Sequence, residues 1–129
     1  MIASGASQAS ARTTHPWFCF FDLNSIRLSD NAKHLAVCKG TALTARTYAE
    51  KGHLRLEVQG HATEGRNEAE NMRISLLRSL EVQAILKDLG TPEDEITIVG
   101  LGASRPIVRN DLTQAQNRRV EIVPVYMQD

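Results

Sequence analysis

The chain has 129 residues, 42% of them hydrophobic and 23% charged, a composition that suits one globular domain with a single two-layer core. Fifteen basic and fifteen acidic side chains cancel, so no global field selects nucleic acid or an anionic membrane as a partner. No apolar run approaches the roughly 20 residues of a membrane-spanning helix, and no membrane span is expected in this chain.

Met1 to Thr14 is rich in Ala, Ser, Gly and Thr, and lacks both an apolar core segment and a lipobox-like cysteine. It reads as a flexible linker or remnant, not a signal peptide, which puts the domain boundary between residues 1–16 and 17–129. If the parent protein is exported, its targeting segment is expected outside this stretch. Trp17 to Phe21 is an apolar and aromatic run that suits a buried strand, and Leu23-Asn24-Ser25 follows as a turn. Ser29 or Asp30 is placed to cap a helix beginning near Asn31. Its apolar stripe is Ala32, Leu35, Cys38, Ala42, Ala45 and Ala49, at three- and four-residue spacing, and Gly52 is its expected stop.

Leu54, Leu56 and Val58 alternate with Arg55, Glu57 and Gln59, the pattern of a half-buried strand ending at Gly60. A polar loop runs from Gly60 to Asn67. A second helix is expected over Glu68 to Asp88 with Ile74, Leu77, Val82, Ile85 and Leu89 inward, ended by Gly90 and Thr91-Pro92. Ile96 to Leu101 reads as a third strand, Leu112 to Gln116 as a helical turn, and Arg119 to Val125 as the last strand. The order β-α-β-α-β-β predicts an α/β fold of the α+β sandwich kind, with two main helices packed on one face of a small mixed sheet.

The two cysteines, Cys19 and Cys38, permit a disulfide in an oxidising compartment. Cys38 also fits its helical stripe as a small apolar packing residue, the simpler of the two readings. Neither cysteine has metal-ligand spacing, and His15, His34 and His53 are scattered, so no metal or cofactor is expected. Gly60 to Arg66 is not a phosphate loop, because the Gly-Lys-Ser/Thr ending is missing. As a catalytic base His61 requires a nucleophile and an orienting acid. Thr63 and Glu64 are too local to supply them, so His61 reads as structural and the chain is not expected to be an enzyme. Arg118-Arg119 reads as a solvated strand edge, not a phosphate site.

Four stretches carry a family resemblance in their order and spacing: Gly60-His61-Ala62-Thr63, Ile74-Ser75-Leu76-Leu77-Arg78, Gly102-Ala103-Ser104-Arg105-Pro106 and Asn117-Arg118-Arg119-Val120. Together they resemble the OmpA-like C-terminal domain, the module that grips bacterial peptidoglycan in proteins such as OmpA, Pal and MotB. The resemblance covers about Phe18 to Val125. It implies a periplasmic, non-catalytic domain that binds the diaminopimelate of the stem peptide and so anchors an envelope protein or complex to the cell wall. Such a ligand presents an ammonium and carboxylates.

In the family the carboxylate is met by the arginine that falls on Arg78, whose planar fork suits it. The family's aspartate, which meets the amine, falls on Thr63 in an ungapped alignment, and a one-residue shift brings Glu64 there instead. Asn24 falls on the Asp or Asn after the first strand, where it shapes the pocket or holds a turn. Asn71 is expected to make a structural bond, and Asn117 and Arg119 to fasten the last strand to neighbouring loops. The departure at Thr63 leaves a second reading open. In it the fold persists as a degenerate domain that docks to other envelope proteins, or dimerises, within a secretion or motor complex.

Overall fold

The computed structural model describes residues 16–126; the expected linker, Met1 to Thr14, lies outside them. Four strands and two long helices alternate as β1 (Trp17–Phe20), α1 (Ala32–Gly52), β2 (Leu54–His61), α2 (Glu68–Asp88), β3 (Ile96–Gly100) and β4 (Arg119–Tyr126). The sheet order is β1-β4-β2-β3. β4 runs antiparallel to both β1 and β2, while β2 and β3 are parallel. That parallel pair needs a crossover, and α2 supplies it. The expected α+β arrangement is the one observed.

One row across the sheet explains how the helices sit. Cys19 pairs with Val120, Val120 with Gly60, and Gly60 with Gly100. A Cβ on Gly60 would lie 1.8 Å from the carbonyl oxygen of Ser75, and one on Gly100 2.8 Å from the backbone nitrogen of Leu76. α2 therefore rests on bare backbone, and its contact residues are the small, buried Ser75 and Ser79. Each hydroxyl finds a main-chain partner. Ser79 Oγ donates to the Val99 carbonyl at 2.8 Å, and Ser75 Oγ accepts from the Gly102 N–H at 2.9 Å. The buried face of α2 is consequently Ile74, Ser75, Arg78, Ser79, Val82 and Leu86, with Asn71 before them. Leu77, Ile85 and Leu89, expected inward, are only half-buried.

At the other end of the same row Cys19 and Cys38 form a disulfide, Cα–Cα 5.0 Å, tying β1 to α1. The packing reading of Cys38 is corrected here. The stripe that buries it also carries it onto the inward-facing Cys19, and sequence spacing alone does not show that meeting. The alanines at 42, 45 and 49 let α1 lie close on the sheet, over Leu54, Leu56, Val58 and Ile122.

Four local expectations are revised. α1 is capped by Asn31, whose side chain accepts from the N–H groups of Lys33 and His34 at 3.0 and 3.2 Å. Ser29 and Asp30 lie instead in a 3-10 turn, Leu28–Asp30, with the Asp30 carboxylate taken by Ser25 Oγ. Ala32, in the first turn of α1, is exposed. Gly52 is the last helical residue, and the left-handed position after it falls to His53, φ 54°. The turn expected over Leu112 to Gln116 tightens into a 3-10 helix only at Ala115–Asn117.

Candidate functional site

The loops at the Gly60 end of β2 converge on one side chain. Arg78, on the inward face of α2, is fully buried. A guanidinium has five N–H donors, and all of them are used. Nε donates to the Ser25 carbonyl at 2.9 Å. Nη1 donates to the His61 carbonyl and to Glu64 Oε1, each at 3.1 Å. Nη2 donates to the Asp22 carbonyl at 3.3 Å and to Glu64 Oε2 at 2.5 Å. The ring of Phe21 lies beneath the guanidinium at 5.2 Å. Burial of this charge is possible because the fork is matched donor for acceptor.

Glu64 is the counter-ion. Its Oε2 also accepts the backbone N–H of Asn24 at 2.9 Å. Burial by itself would raise its pKa, but the hydrogen bonds and charge of Arg78 and the Asn24 N–H outweigh that, so the carboxyl is held below its ordinary value. Asn24 presents that N–H because it sits at φ 61° in the turn closed by the Ser25 N–H and the Asp22 carbonyl at 3.0 Å. Asparagine is one of the few non-glycine residues that tolerate this left-handed conformation.

The structure thus brings Arg78, Glu64 and Asn24 together. Thr63 faces elsewhere: its Oγ1 donates to the Leu112 carbonyl at 2.6 Å, pinning the long β3–β4 loop across the end of the sheet. That bond stands between two concavities. The smaller, about 270 Å³, is lined by Leu23, Thr63, Glu64, Leu112, Thr113 and Arg118. The larger, about 710 Å³, runs beside it between the start of α2 and the turn after β3, and includes Arg66, Asn67, Met72 and Ser104 in its wall.

The β3–β4 loop is itself held by Asn117, fully buried. Its Oδ1 accepts from the Val108 N–H at 2.9 Å, and its Nδ2 donates to the Val108 carbonyl at 3.0 Å. Arg119, expected with Asn117 to fasten the last strand, donates to the Arg105 carbonyl at 2.9 Å and pairs with Glu121. It is 3% exposed, so the solvated-edge reading of Arg118-Arg119 is corrected for this residue. The sequence could not anticipate it, because the turn at Arg105 folds back over the strand from 14 positions away. Asn71 makes the expected structural bond, accepting from the Gly65 N–H at 2.7 Å.

His61 is 2% exposed, and neither ring nitrogen has a hydrogen-bond partner among the described residues. Burial, reinforced by the charges of Arg119 and Arg105, lowers its pKa to about 3. The imidazole is therefore neutral at physiological pH, and its 3.8 Å approach to Glu121 is no ion pair. No nucleophile is hydrogen-bonded to it. Among the described residues no group of three or more His, Cys, Asp or Glu side chains could hold a metal ion. Sequence reasoning missed the pocket contributions of Leu23, Leu112, Thr113 and Arg118. Of these, Arg118 had a signal in Asn117-Arg118-Arg119. The other three are placed by loop closure alone.

The model of the OmpA family matches residues 20–119. The outer-membrane lipoprotein YfiB of Pseudomonas aeruginosa is 31% identical over 71 residues, which are 54% of this chain and 42% of that protein. The chain therefore spans less than half the length of this curated relative. Among solved structures, the OmpA-like domain of FopA1 from Francisella tularensis superposes with TM-score 0.72 at 20% identity, over 92% of this chain and 82% of that one. The peptidoglycan-associated lipoprotein from Burkholderia pseudomallei gives 0.67 at 23%, over 84% and 89%. The C-terminal domain of Helicobacter pylori MotB gives 0.66 at 20%, over 85% and 83%. These structural likenesses establish the fold.

Proposed function

The chain belongs to the OmpA family, and from that premise we propose that it binds peptidoglycan non-covalently through the diaminopimelate of the stem peptide, tethering an envelope protein to the cell wall. The observation that carries this reading is the state of Glu64. It is an ionised carboxylate at the wall of an open depression, with three of its roughly four acceptor positions taken by Arg78 and the Asn24 N–H. The position left on Oε1 suits an ammonium donor.

Glu64 then does the work of the family's aspartate from one residue further along, and Thr63 shapes the pocket by holding Leu112. Arg78, with every donor engaged, fixes the carboxylate and the surrounding loops. It reaches a ligand carboxylate only by releasing one of those bonds. Asn24 contributes its N–H and its turn. One of the structural relatives is by name a peptidoglycan-associated lipoprotein, and the disulfide belongs in an oxidising compartment such as the periplasm. Both support the reading.

The test is co-sedimentation of the purified chain with insoluble peptidoglycan sacculi, alone and with a soluble diaminopimelate-containing stem peptide as competitor. Pelleting with sacculi, reversed by the peptide, is expected. A folded sample that stays in the supernatant overturns wall binding. A second reading, a domain that docks to envelope proteins or dimerises, draws on Met72, Leu76 and Leu80. They stand 44%, 41% and 40% exposed at four-residue spacing along α2. It predicts a molecular mass that rises with protein concentration and no competition by stem peptide.

A further inference from the structure

The exposed stripe on α2 lies beside an edge that the sheet leaves unpaired. β3 is the last strand in the order β1-β4-β2-β3 and pairs with β2. Leu101, just past its end, donates to the Gly60 carbonyl at 2.9 Å. The alternation of the ladder therefore turns the main-chain groups of Ile96, Ile98 and Gly100 away from β2. Of these outward groups, only the Ile96 N–H has a partner among the described residues, the Glu93 carbonyl. Between Ile96 and Gly100 the strand holds neither a charge nor a proline, the devices that keep edges from pairing with other chains.

α2 runs along that edge. A Cβ on Gly100 would lie 2.8 Å from the Leu76 nitrogen, and one on Gly102 2.9 Å from Met72 Sδ, so both stripe residues stand over the end of β3. Four helical residues rise about as far as two strand residues, roughly 6 Å. Leu80 is therefore level with Ile98, and the exposed Ala84 continues the stripe beyond it. Strand edge and apolar ridge form one surface, with its charges sorted by end. Asp94 and Glu95 lie where β3 starts, and Arg73 lies where it finishes. Among the described residues none of these three is in an ion pair, since Glu93 takes Lys87 and Glu70 takes Arg66.

We propose that this surface pairs with its counterpart on a second copy of the chain, β3 antiparallel to β3, around a two-fold axis beside Ile98. That centre engages the most main chain. Ile98 of each copy exchanges both bonds with the other's, and each Gly100 N–H meets the other's Ile96 carbonyl. It sets Leu80 against Leu80 and Leu76 against the small Ala84, and it brings Asp94 and Glu95 of each copy to Arg73 of the other. A patch complementary to itself is what a two-fold interface demands. The area is small, in the transient class below about 1,200 Å², and the two four-stranded sheets become one. The inference rests on the dimerising form of the second reading and gives it a strand, a register and an orientation. It leaves the depression beside Glu64 uncovered, since none of that depression's lining residues lies on this surface.

The experiment has two parts. Sedimentation equilibrium of the full chain, from micromolar to millimolar, is expected to show a monomer–dimer equilibrium. Leu80→Lys, at an exposed position that faces its own copy, should weaken it at least tenfold. Cross-linking reads the register. Around Ile98, Thr97 of one copy stands opposite Val99 of the other as a non-hydrogen-bonded pair, with Cα atoms about 4.5 Å apart and within disulfide reach. The native cysteines are joined and buried. A mixture of the Thr97→Cys and Val99→Cys variants is expected to give a covalent dimer under mild oxidation, and neither variant alone is. A dimer that Leu80→Lys leaves intact, or that forms without this cross-link, overturns the β3 pairing while the dimerising reading stands. So does cross-linking of either variant by itself. A folded wild type that stays monomeric overturns both.

Discussion

Removing the carboxylate of Glu64 should be among the most damaging single changes in the domain. Arg78 has no exposure to solvent and Glu64 only 7% at its side chain, so the pair has little water to fall back on. In Glu64→Ala the guanidinium keeps its three carbonyl partners but loses both carboxylate bonds and the buried counter-charge that pairs with it. Breaking a buried pair from one side costs about 3–5 kcal/mol, a large share of the roughly 5–15 kcal/mol that stabilises a domain. Arg78→Met removes the charge instead, and the double variant Glu64→Ala/Arg78→Met should be less destabilised than the two single losses added together, with a coupling of about 2–3 kcal/mol.

The assay is urea unfolding of the four proteins followed by circular dichroism, with stability compared at constant slope. The pH dependence provides a second reading of the same pair. Glu64 titrates below its ordinary value when folded, so its contribution is fully present above about pH 4.5 and is lost as pH falls through the lower, folded value. The acid limb of the stability profile should therefore flatten in Glu64→Gln. A Glu64→Ala cost under about 1 kcal/mol, or strict additivity in the cycle, would refute the view of Arg78 as a charge held in place by Glu64.

Reduction of the Cys19–Cys38 bond, which closes a loop spanning 19 positions, should lower stability by about 3 kcal/mol on the chain-entropy account. Thermal melts with and without reductant, or of Cys19→Ser/Cys38→Ser, should separate by about 10 °C. Gly60→Ala should cost about 3 kcal/mol, the upper end of overpacking penalties, because its Cβ meets backbone, which cannot swing aside; wild-type denaturant midpoints would contradict the packing described. His61 should show no imidazole titration by NMR near its ordinary value of 6.5, protonating only toward pH 3. Because its folded pKa is depressed below the unfolded one, His61 favours the folded state at neutral pH, and that contribution erodes as pH falls below 6.5.

Periodicity was enough to place both helices and all four strands within a residue or two, because each element repeats its signal many times. Ends depended on single residues and were less legible. Ser29 and Asp30 read as the caps of α1, but the Leu28–Asp30 turn takes up both and the cap falls to Asn31. The buried face of α2 was read one step round from where it lies, since an apolar stripe ignores the demand of Gly60 and Gly100 for serines. For the site, the family resemblance brought Arg78 and the Thr63-Glu64 pair into view but left open which of the pair takes the place of the family's aspartate. In the structure it is Glu64, not Thr63, that accepts the N–H of Asn24, 40 positions away.

Arg78 also has a consequence for motion. Its five bonds reach the turn after β1, the end of β2 and the loop before α2 at once. None of these segments can swing out without breaking bonds in a buried hub, so their fluctuations are correlated and small on every timescale short of sub-global opening. Amide protons of Asn24 and its neighbours should exchange with the core, not with the surface loops around them. On the proposed function, a ligand entering beside Glu64 would meet walls already set in place, and little of its binding energy would be spent on ordering the protein.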